Sequence, residues 1–273
     1  MITKPKLIQK LKLLTNHNYI EIVLRGNSAI LSALTIAKKK VFIPEEGGWL
    51  TYLQFPKKLG LESETVKCKD AVIDLNDLKA KLEDKLNSAG ALLYQNPGGY
   101  HAEQPMEEIY SLCNKYGCKV ILDVSGGIGT KLCDGNYADI LVGSFGEGKL
   151  VDAKTGGFIS CKDKSVFDQA KNSLKVLNEE ERLKLILKKI EELPQRIKFL
   201  TRKRKKILSD LKDYDLVNRT HPGFVVVVKY HSESEKEKII SYCQKNNLEY
   251  TQCPRYIRLN QDAISIEVKR LVD

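Results

Sequence analysis

The chain is 273 residues long, 42% hydrophobic and 29% charged, with a formal net charge of +10; that length can bury one sizeable core and a smaller annex. No stretch approaches the roughly 20 consecutive apolar residues needed to span a bilayer, and Met1-Ile2-Thr3-Lys4-Pro5-Lys6 opens on lysine-punctuated sequence rather than an apolar signal core. These features argue against a membrane helix and a secretory leader, and they predict a cytoplasmic protein.

From Tyr19 onward, short apolar runs alternate with amphipathic ones. Tyr19 to Leu24 reads as a strand and Ser28 to Ala37 as a helix; Val41 to Ile43 is a strand, with a helix after Gly47-Gly48. A strand near Thr65-Val66 precedes a helix from Leu75 to Leu86, and a strand from Ala91 to Tyr94 precedes a helix from Met106 to Lys115. Lys119 to Leu122, Ile140 to Val142 and Gly157 to Ser160 are further strands. Strands this apolar, separated by helices, predict an α/β fold with a mostly parallel central sheet covered on both faces. Helices fill roughly residues 163 to 212. A strand from Phe224 to Val228, a helix from Glu233 to Asn246, and strands at Tyr256 to Leu259 and Ile264 to Ile266 follow. The expected organisation is a large domain over 1–162 and, over 163–273, a long helix leading into a small C-terminal α+β domain.

The positive charge concentrates between Arg182 and Lys212, above all in Arg202-Lys203-Arg204-Lys205-Lys206. Apolar residues recur there at helical spacing from Leu183 to Leu211, which predicts a long helix kinked near Pro194 with a solvated basic face. An anionic substrate or RNA is the second reading of that face. Seven cysteines (68, 113, 118, 133, 161, 243, 253) include no C-x-x-C pair, which argues against zinc and for reduced thiols.

In parallel α/β sheets ligands bind beyond the carboxyl ends of the strands, so the polar residues at those ends are the candidates. The first strand leads into Arg25-Gly26-Asn27-Ser28-Ala29, where a helix N-terminus and the Ser28 hydroxyl suit a phosphate; Asn27 and Ser28 are equally ordinary helix caps. The fourth strand ends in Gln95-Asn96-Pro97-Gly98-Gly99-Tyr100-His101, and the next in Asp123-Val124-Ser125-Gly126. Asp123 reads as a helix cap, a loop salt bridge or a ligand acid. The following strand runs into Ser144-Phe145-Gly146-Glu147-Gly148-Lys149, with Gly156-Gly157 seven residues beyond. Alone, Lys149 reads as a surface lysine.

Together these elements resemble the fold-type-I pyridoxal-phosphate (PLP) enzymes, and most closely the DegT/DnrJ/EryC1/StrS aminotransferase family, over roughly residues 19 to 160. The resemblance implies that Gly26-Asn27-Ser28-Ala29 holds the cofactor phosphate with Ser144. It implies that Trp49 stacks on the pyridine ring, that Asp123 pairs with the pyridine nitrogen, and that Lys149 forms the internal aldimine and shuttles protons. Asn96 would hydrogen-bond the cofactor's ring oxygen. Arg258 would clamp a substrate carboxylate, unless it is a surface strand arginine. An amino-acid donor, a keto or keto-sugar acceptor and a homodimer are the implied partners.

The sequence departs from the family's pattern at two places. The aspartate is usually followed by Ala-Ala-Gln or Ala-Ala-His, whereas Val124-Ser125-Gly126 stands here, so a contact to a cofactor oxygen is missing or replaced. The usual acidic Gly-Glu-Gly-Gly element is Lys154-Thr155-Gly156-Gly157. The competing readings are a PLP-dependent lyase, a tRNA- or sulfur-linked enzyme using Cys243 or Cys253, and a non-catalytic relative that binds partners through its basic helix. A dinucleotide-binding dehydrogenase is disfavoured because the first turn lacks G-x-G-x-x-G, and a P-loop NTPase because Gly126 to Lys131 lacks the Walker spacing.

Overall fold

The computed structural model describes residues 3–84 and 89–272. Helix α1 (Thr3–Thr15) turns Leu7 and Leu11 inward and precedes strand β1 (Tyr19–Val23). Next come α2 (Gly26–Leu34), β2 (Lys40–Pro44), α3 (Thr51–Lys58) and β3 (Glu62–Val66). A short antiparallel pair, β4 (Cys68–Lys69) and β5 (Val72–Ile73), leads into α4 (Leu75–Glu83). Asp74 caps α4 by accepting the backbone N–H groups of Asn76 and Asp77. The unit closes with β6 (Ala89–Gln95), α5 (Met106–Lys115), β7 (Lys119–Asp123), β8 (Ile140–Ser144) and β9 (Gly157–Cys161).

These strands form one sheet in the order β1-β9-β8-β7-β6-β2-β3. Neighbours from β8 to β3 are parallel, while β9 is antiparallel to both β8 and β1, so β9 is the reversed member. Alternation along the strands loads both faces. Leu92, Val120 and Leu122 join a core with α1, α5 and α7, whereas Leu93, Ile121 and Ile43 join a second core under α2 and α3. Covered on both sides, the sheet exposes its carboxyl edge, where the candidate residues sit.

The chain continues through α6 (Lys164–Lys171), α7 (Glu180–Glu191) and α8 (Leu193–Asp210). It ends with β10 (Asp215–Val217), β11 (Val226–Lys229), α9 (Glu233–Lys245), β12 (Tyr250–Cys253) and β13 (Ala263–Ile266). The last four strands make an antiparallel sheet in the order β10-β11-β13-β12. Among the described residues no helix is long and apolar enough to cross a membrane.

Five expectations need correction. The helical stretch from residue 163 is interrupted between α6 and α7, where Leu24 and Leu177 exchange backbone bonds with Lys175 and Ile22 along β1. The long basic helix is two helices meeting at Glu192, with Pro194 in the first turn of α8, where its missing N–H has no intrahelical partner to lose. Its basic face is not wholly solvated, because Arg204 is buried and donates to the Val225 carbonyl at 3.1 Å. Tyr256 to Leu259 is a turn, with Arg258 N–H bonded back to the Arg255 carbonyl at 2.9 Å, and Tyr250–Cys253 takes the strand position against β13. Pro254, which has no N–H for the ladder, follows the last paired residue of that strand. The predicted helix from Leu75 ends at Glu83, and positions 85 and 86 of that prediction lie outside the described residues.

Candidate active site

The last residues of β6, β7 and β8 are Gln95, Asp123 and Ser144. All three line one cleft of about 200 Å³, together with Lys149, Trp49 and Tyr100. Parallel neighbours in register place Gln95 beside Asp123, so the cleft follows from where the strands stop.

Asp123 is buried, and both its oxygens are held by neutral donors. The buried Tyr52 hydroxyl donates to Oδ2 at 2.8 Å, and the Ser125 backbone N–H donates to Oδ1 at 2.8 Å. Burial, with Asp123 beside it, pushes the Tyr52 phenol well above its ordinary range, which keeps that hydroxyl a donor. Ser125 Oγ in turn accepts the Ser144 backbone N–H at 2.9 Å, tying the ends of β7 and β8 together. A carboxylate offers about four lone-pair sites, so Asp123 retains acceptor capacity toward the cleft it lines.

Helix α2 starts at Gly26 with no side-chain cap, and its first two residues, Gly26 and Asn27, line the cleft, so the N-terminal end of the helix lies at the cleft wall. Gly26 lies against Ser144 closely enough that a Cβ would fall 2.6 Å from the Ser144 Cβ. Trp49 is half-buried and donates from Nε1 to Asn27 Oδ1 at 3.2 Å. Lys149 stands in the loop beyond β8 with its ammonium 5.0 Å from the Trp49 ring centre and bonded to the Tyr100 hydroxyl.

Gly26, Asn27, Trp49, Asp123, Ser144 and Lys149 are thus brought together. Three other predicted residues are not. Ser28 is not a lining residue, although Asn27 and Ile30 on either side of it on α2 are, and its N–H is taken by the Arg25 carbonyl at 2.9 Å. Asn96 is fully buried behind the cleft, donating to the Leu132 carbonyl at 3.1 Å and accepting the Gln104 N–H at 3.0 Å. Its amide organises the loop after β6, and Gln95 is the residue that faces the cleft.

Arg258 is also outside the lining. Its guanidinium donates to Glu267 at 2.6 Å, to Ser265 Oγ at 3.2 Å and to the Ile257 carbonyl at 3.2 Å. Glu267 has no exposed side chain and also pairs with Lys269 at 2.6 Å. Burial opposes the Glu267 charge, yet Arg258 and Lys269 hold its carboxyl down to about 2. Burial pulls Lys269 down to about 8, with Glu267 resisting and the Arg258 and Lys149 charges assisting. Both cations approach the Tyr100 ring: Arg258 Cζ, Lys269 Nζ and, from the cleft, Lys149 Nζ lie 4.8, 4.8 and 4.9 Å from its centre.

Sequence reasoning missed Tyr52, Gln95, Tyr100, Ser125, Glu267 and Lys269. Gln95 was within reach, since it ends an apolar strand. Tyr100 sits in a left-handed conformation (φ 69°) in a loop without periodicity, and Glu267 and Lys269, past the last strand, lie 118 or more positions from Lys149 in the chain. Cys243 and Cys253, weighed as sulfur carriers, are buried inside the small sheet's packing, and burial pushes the Cys243 thiol up to about 11. A mobile, ionised thiol needs the opposite surroundings.

The comparisons bear on both fold and family. In solved structures the chain is similar to PseC from Helicobacter pylori, an aminotransferase involved in the biosynthesis of pseudoaminic acid, with 14% identity, a TM-score of 0.79, and 98% of this chain and 86% of that one covered. A DegT/DnrJ/EryC1/StrS aminotransferase from Brucella abortus gives 12% identity and 0.77 over 98% and 85%. A serine palmitoyltransferase from S. paucimobilis with bound PLP-myriocin aldimine gives 13% and 0.77 over 97% and 71%. These likenesses establish the fold-type-I architecture of PLP-dependent transferases. No curated protein matches the sequence significantly. The family model of the DegT/DnrJ/EryC1/StrS aminotransferases matches residues 26–182, which runs from the start of α2 through the cleft loop into α7. That span is more than half of the chain, so the protein belongs to this PLP-dependent aminotransferase family.

Proposed function

We propose that the protein transfers an amino group between an amino-acid donor and a keto or keto-sugar acceptor, with Lys149 as the lysine that holds PLP. The observation that carries this reading is the meeting of Lys149, Asp123, Trp49 and the uncapped start of α2 in one cleft. The donor set fits the cofactor: an acid for a protonated ring nitrogen, an aromatic plane, an amine for an aldehyde, and free N–H groups with a serine for a phosphate. The close seat of Gly26 on Ser144 brings the start of α2 and the Ser144 hydroxyl to one spot.

When bound, PLP supplies an electron sink for the carbanion formed at the substrate's Cα. Asp123 would hold the proton on the ring nitrogen, its position fixed by Tyr52 and Ser125. Trp49 would set the plane of the ring, and its own orientation is fixed by Asn27. Gly26, Asn27 and Ser144 would hold the phosphate. Lys149 would hold the cofactor through its amine and would serve as the base and acid for the proton at the substrate's Cα. Arg258, neutralised by Glu267, is left out of the substrate contacts.

The large unit over 1–162 and the remainder over 163–273 are proposed as its two domains. A cytoplasmic homodimer is the proposed assembly. Leu50, just before α3 and beside Trp49, and Leu53 on α3 are exposed apolar surface that a second copy would cover.

The test is the visible spectrum of protein purified with PLP, before and after borohydride, beside Lys149→Ala. The wild type is expected to show a visible band that borohydride fixes on the protein. Lys149→Ala is expected to lose it, and to lose activity on the order of 10³-fold or more. A band and reducible adduct retained in Lys149→Ala would falsify the assignment. Adding amino acids and watching for the pyridoxamine form separates transamination from lyase chemistry.

A further inference from the structure

We propose that Tyr100 replaces the cofactor-oxygen contact missing from the Asp123 loop, its hydroxyl donating to the PLP ring oxygen adjacent to the aldehyde carbon. The inference rests on the assignment of Lys149 to PLP made above.

Three observations carry it. First, the Tyr100 hydroxyl accepts a hydrogen bond from Lys149 Nζ, and Tyr100 lines the cleft. An accepting phenol still has its own proton to donate. In PLP the ring oxygen and the aldehyde sit on neighbouring ring carbons. A phenol within hydrogen-bond reach of the amine that seizes the aldehyde carbon is therefore within reach of that oxygen.

Second, Tyr100 fills the place that a side chain at position 126 would need. The family's pattern carries Gln or His three residues after the aspartate; here that residue is Gly126. A Cβ on Gly126 would fall 2.5 Å from Tyr100 Cδ1 and 2.9 Å from Cε1. The polar side chain lost from one strand end and the phenol brought in from the next are thus mutually exclusive in space.

Third, the charge close to the ring suits an anionic oxygen at its hydroxyl. Arg258 and Lys269 each stand 4.8 Å from the ring centre, and Glu267 cancels only one of the two positive charges. The net positive charge left within about 5 Å of the ring centre favours a ring oxygen in its ionised form.

The alternative is that Tyr100 only props the Lys149 side chain. The two roles separate in the pH titration of the visible band of PLP-loaded protein. A donor to the ring oxygen draws electron density from the atom that shares the proton of the Lys149–cofactor linkage, so that proton leaves at lower pH. Tyr100→Phe, which removes one oxygen atom, is expected to keep the band and to move its titration upward by about one unit or more. PLP affinity, read from quenching of Trp49, the one tryptophan in the sequence, is expected to fall by about 5- to 10-fold. Gly126→Ala retains the hydroxyl but displaces the ring, and carries the same test if Tyr100→Phe does not fold. Its titration is expected to move in the same direction. A wild-type titration in the folded variant overturns the role of Tyr100 and leaves Lys149 standing. A wild type without the band overturns both.

Discussion

Two buried carboxylates in this molecule do opposite work. Asp123, at the carboxyl end of β7, is held by neutral donors, the Tyr52 hydroxyl and the Ser125 N–H. Glu267, just past β13, is held by cations, Arg258 and Lys269, each at 2.6 Å. Neutral donors fix a carboxylate while leaving its charge for an incoming cationic group. Cationic partners cancel the charge and turn the acid into a strut. The difference lies in the partners, not in the acid, and it explains why one faces the cleft while the other is closed in behind Tyr100.

The largest effect that would test this contrast is on stability. Glu267→Gln leaves Arg258 and Lys269 buried without their counter-charge, which is expected to cost about 3–5 kcal/mol, measured by chemical denaturation. The sign of the pH dependence follows from the Glu267 carboxyl, held at about 2 against an ordinary 4.5. A carboxyl lowered on folding adds stability above its unfolded value and loses it as the pH falls through the folded one. The wild type is therefore expected to weaken between about pH 4.5 and 2, and Glu267→Gln to lack that part of the slope. An unchanged denaturation midpoint in Glu267→Gln would show that the cluster is not a strut.

The matching change in the cleft is expected to spare stability and to reduce turnover. Asp123→Asn keeps the shape and the Ser125 contact but removes the charge that favours a protonated ring nitrogen. Turnover is expected to fall on the order of 10² to 10³-fold, with PLP still bound. Equal damage to stability in both variants would erase the distinction between the two acids.

The cleft half of this contrast was legible in the sequence because it is built from strand ends. An apolar run followed by one polar residue marks where a parallel strand stops, and three such stops in order locate Asp123, Ser144 and the loop of Lys149. The same logic failed by one position at β6. That strand runs through Gln95, so Gln95 takes the cleft and Asn96 turns into the loop, where its amide holds backbone. Arg258 failed for a different reason. It reads as a strand arginine, but Pro254 ends the strand early and the turn carries the guanidinium onto Glu267. Tyr100 left no local trace, since its place depends on the absence of a side chain at Gly126, in the loop after another strand. Patterns of period two and 3.6 report which face a residue occupies within its own element; they carry no information about which distant residue it will meet.

The smallest effect separates two serines that the sequence treats alike. Ser28 and Ser144 both read as phosphate ligands, yet Ser144 lines the cleft against Gly26 while Ser28, between Asn27 and Ile30 on α2, does not. A hydroxyl bonded to a phosphate is a charge-assisted contact of roughly 1.5–3 kcal/mol, whereas a helix hydroxyl beside the site contributes about 0.5 kcal/mol or less. Ser144→Ala is therefore expected to weaken PLP binding by about 10-fold or more, and Ser28→Ala by about 2-fold. Quenching of Trp49 reads both, because the sequence contains no second tryptophan. If Ser28→Ala proved as damaging as Ser144→Ala, the phosphate would sit against α2 rather than against the end of β8, and the helix hydroxyl would set its position.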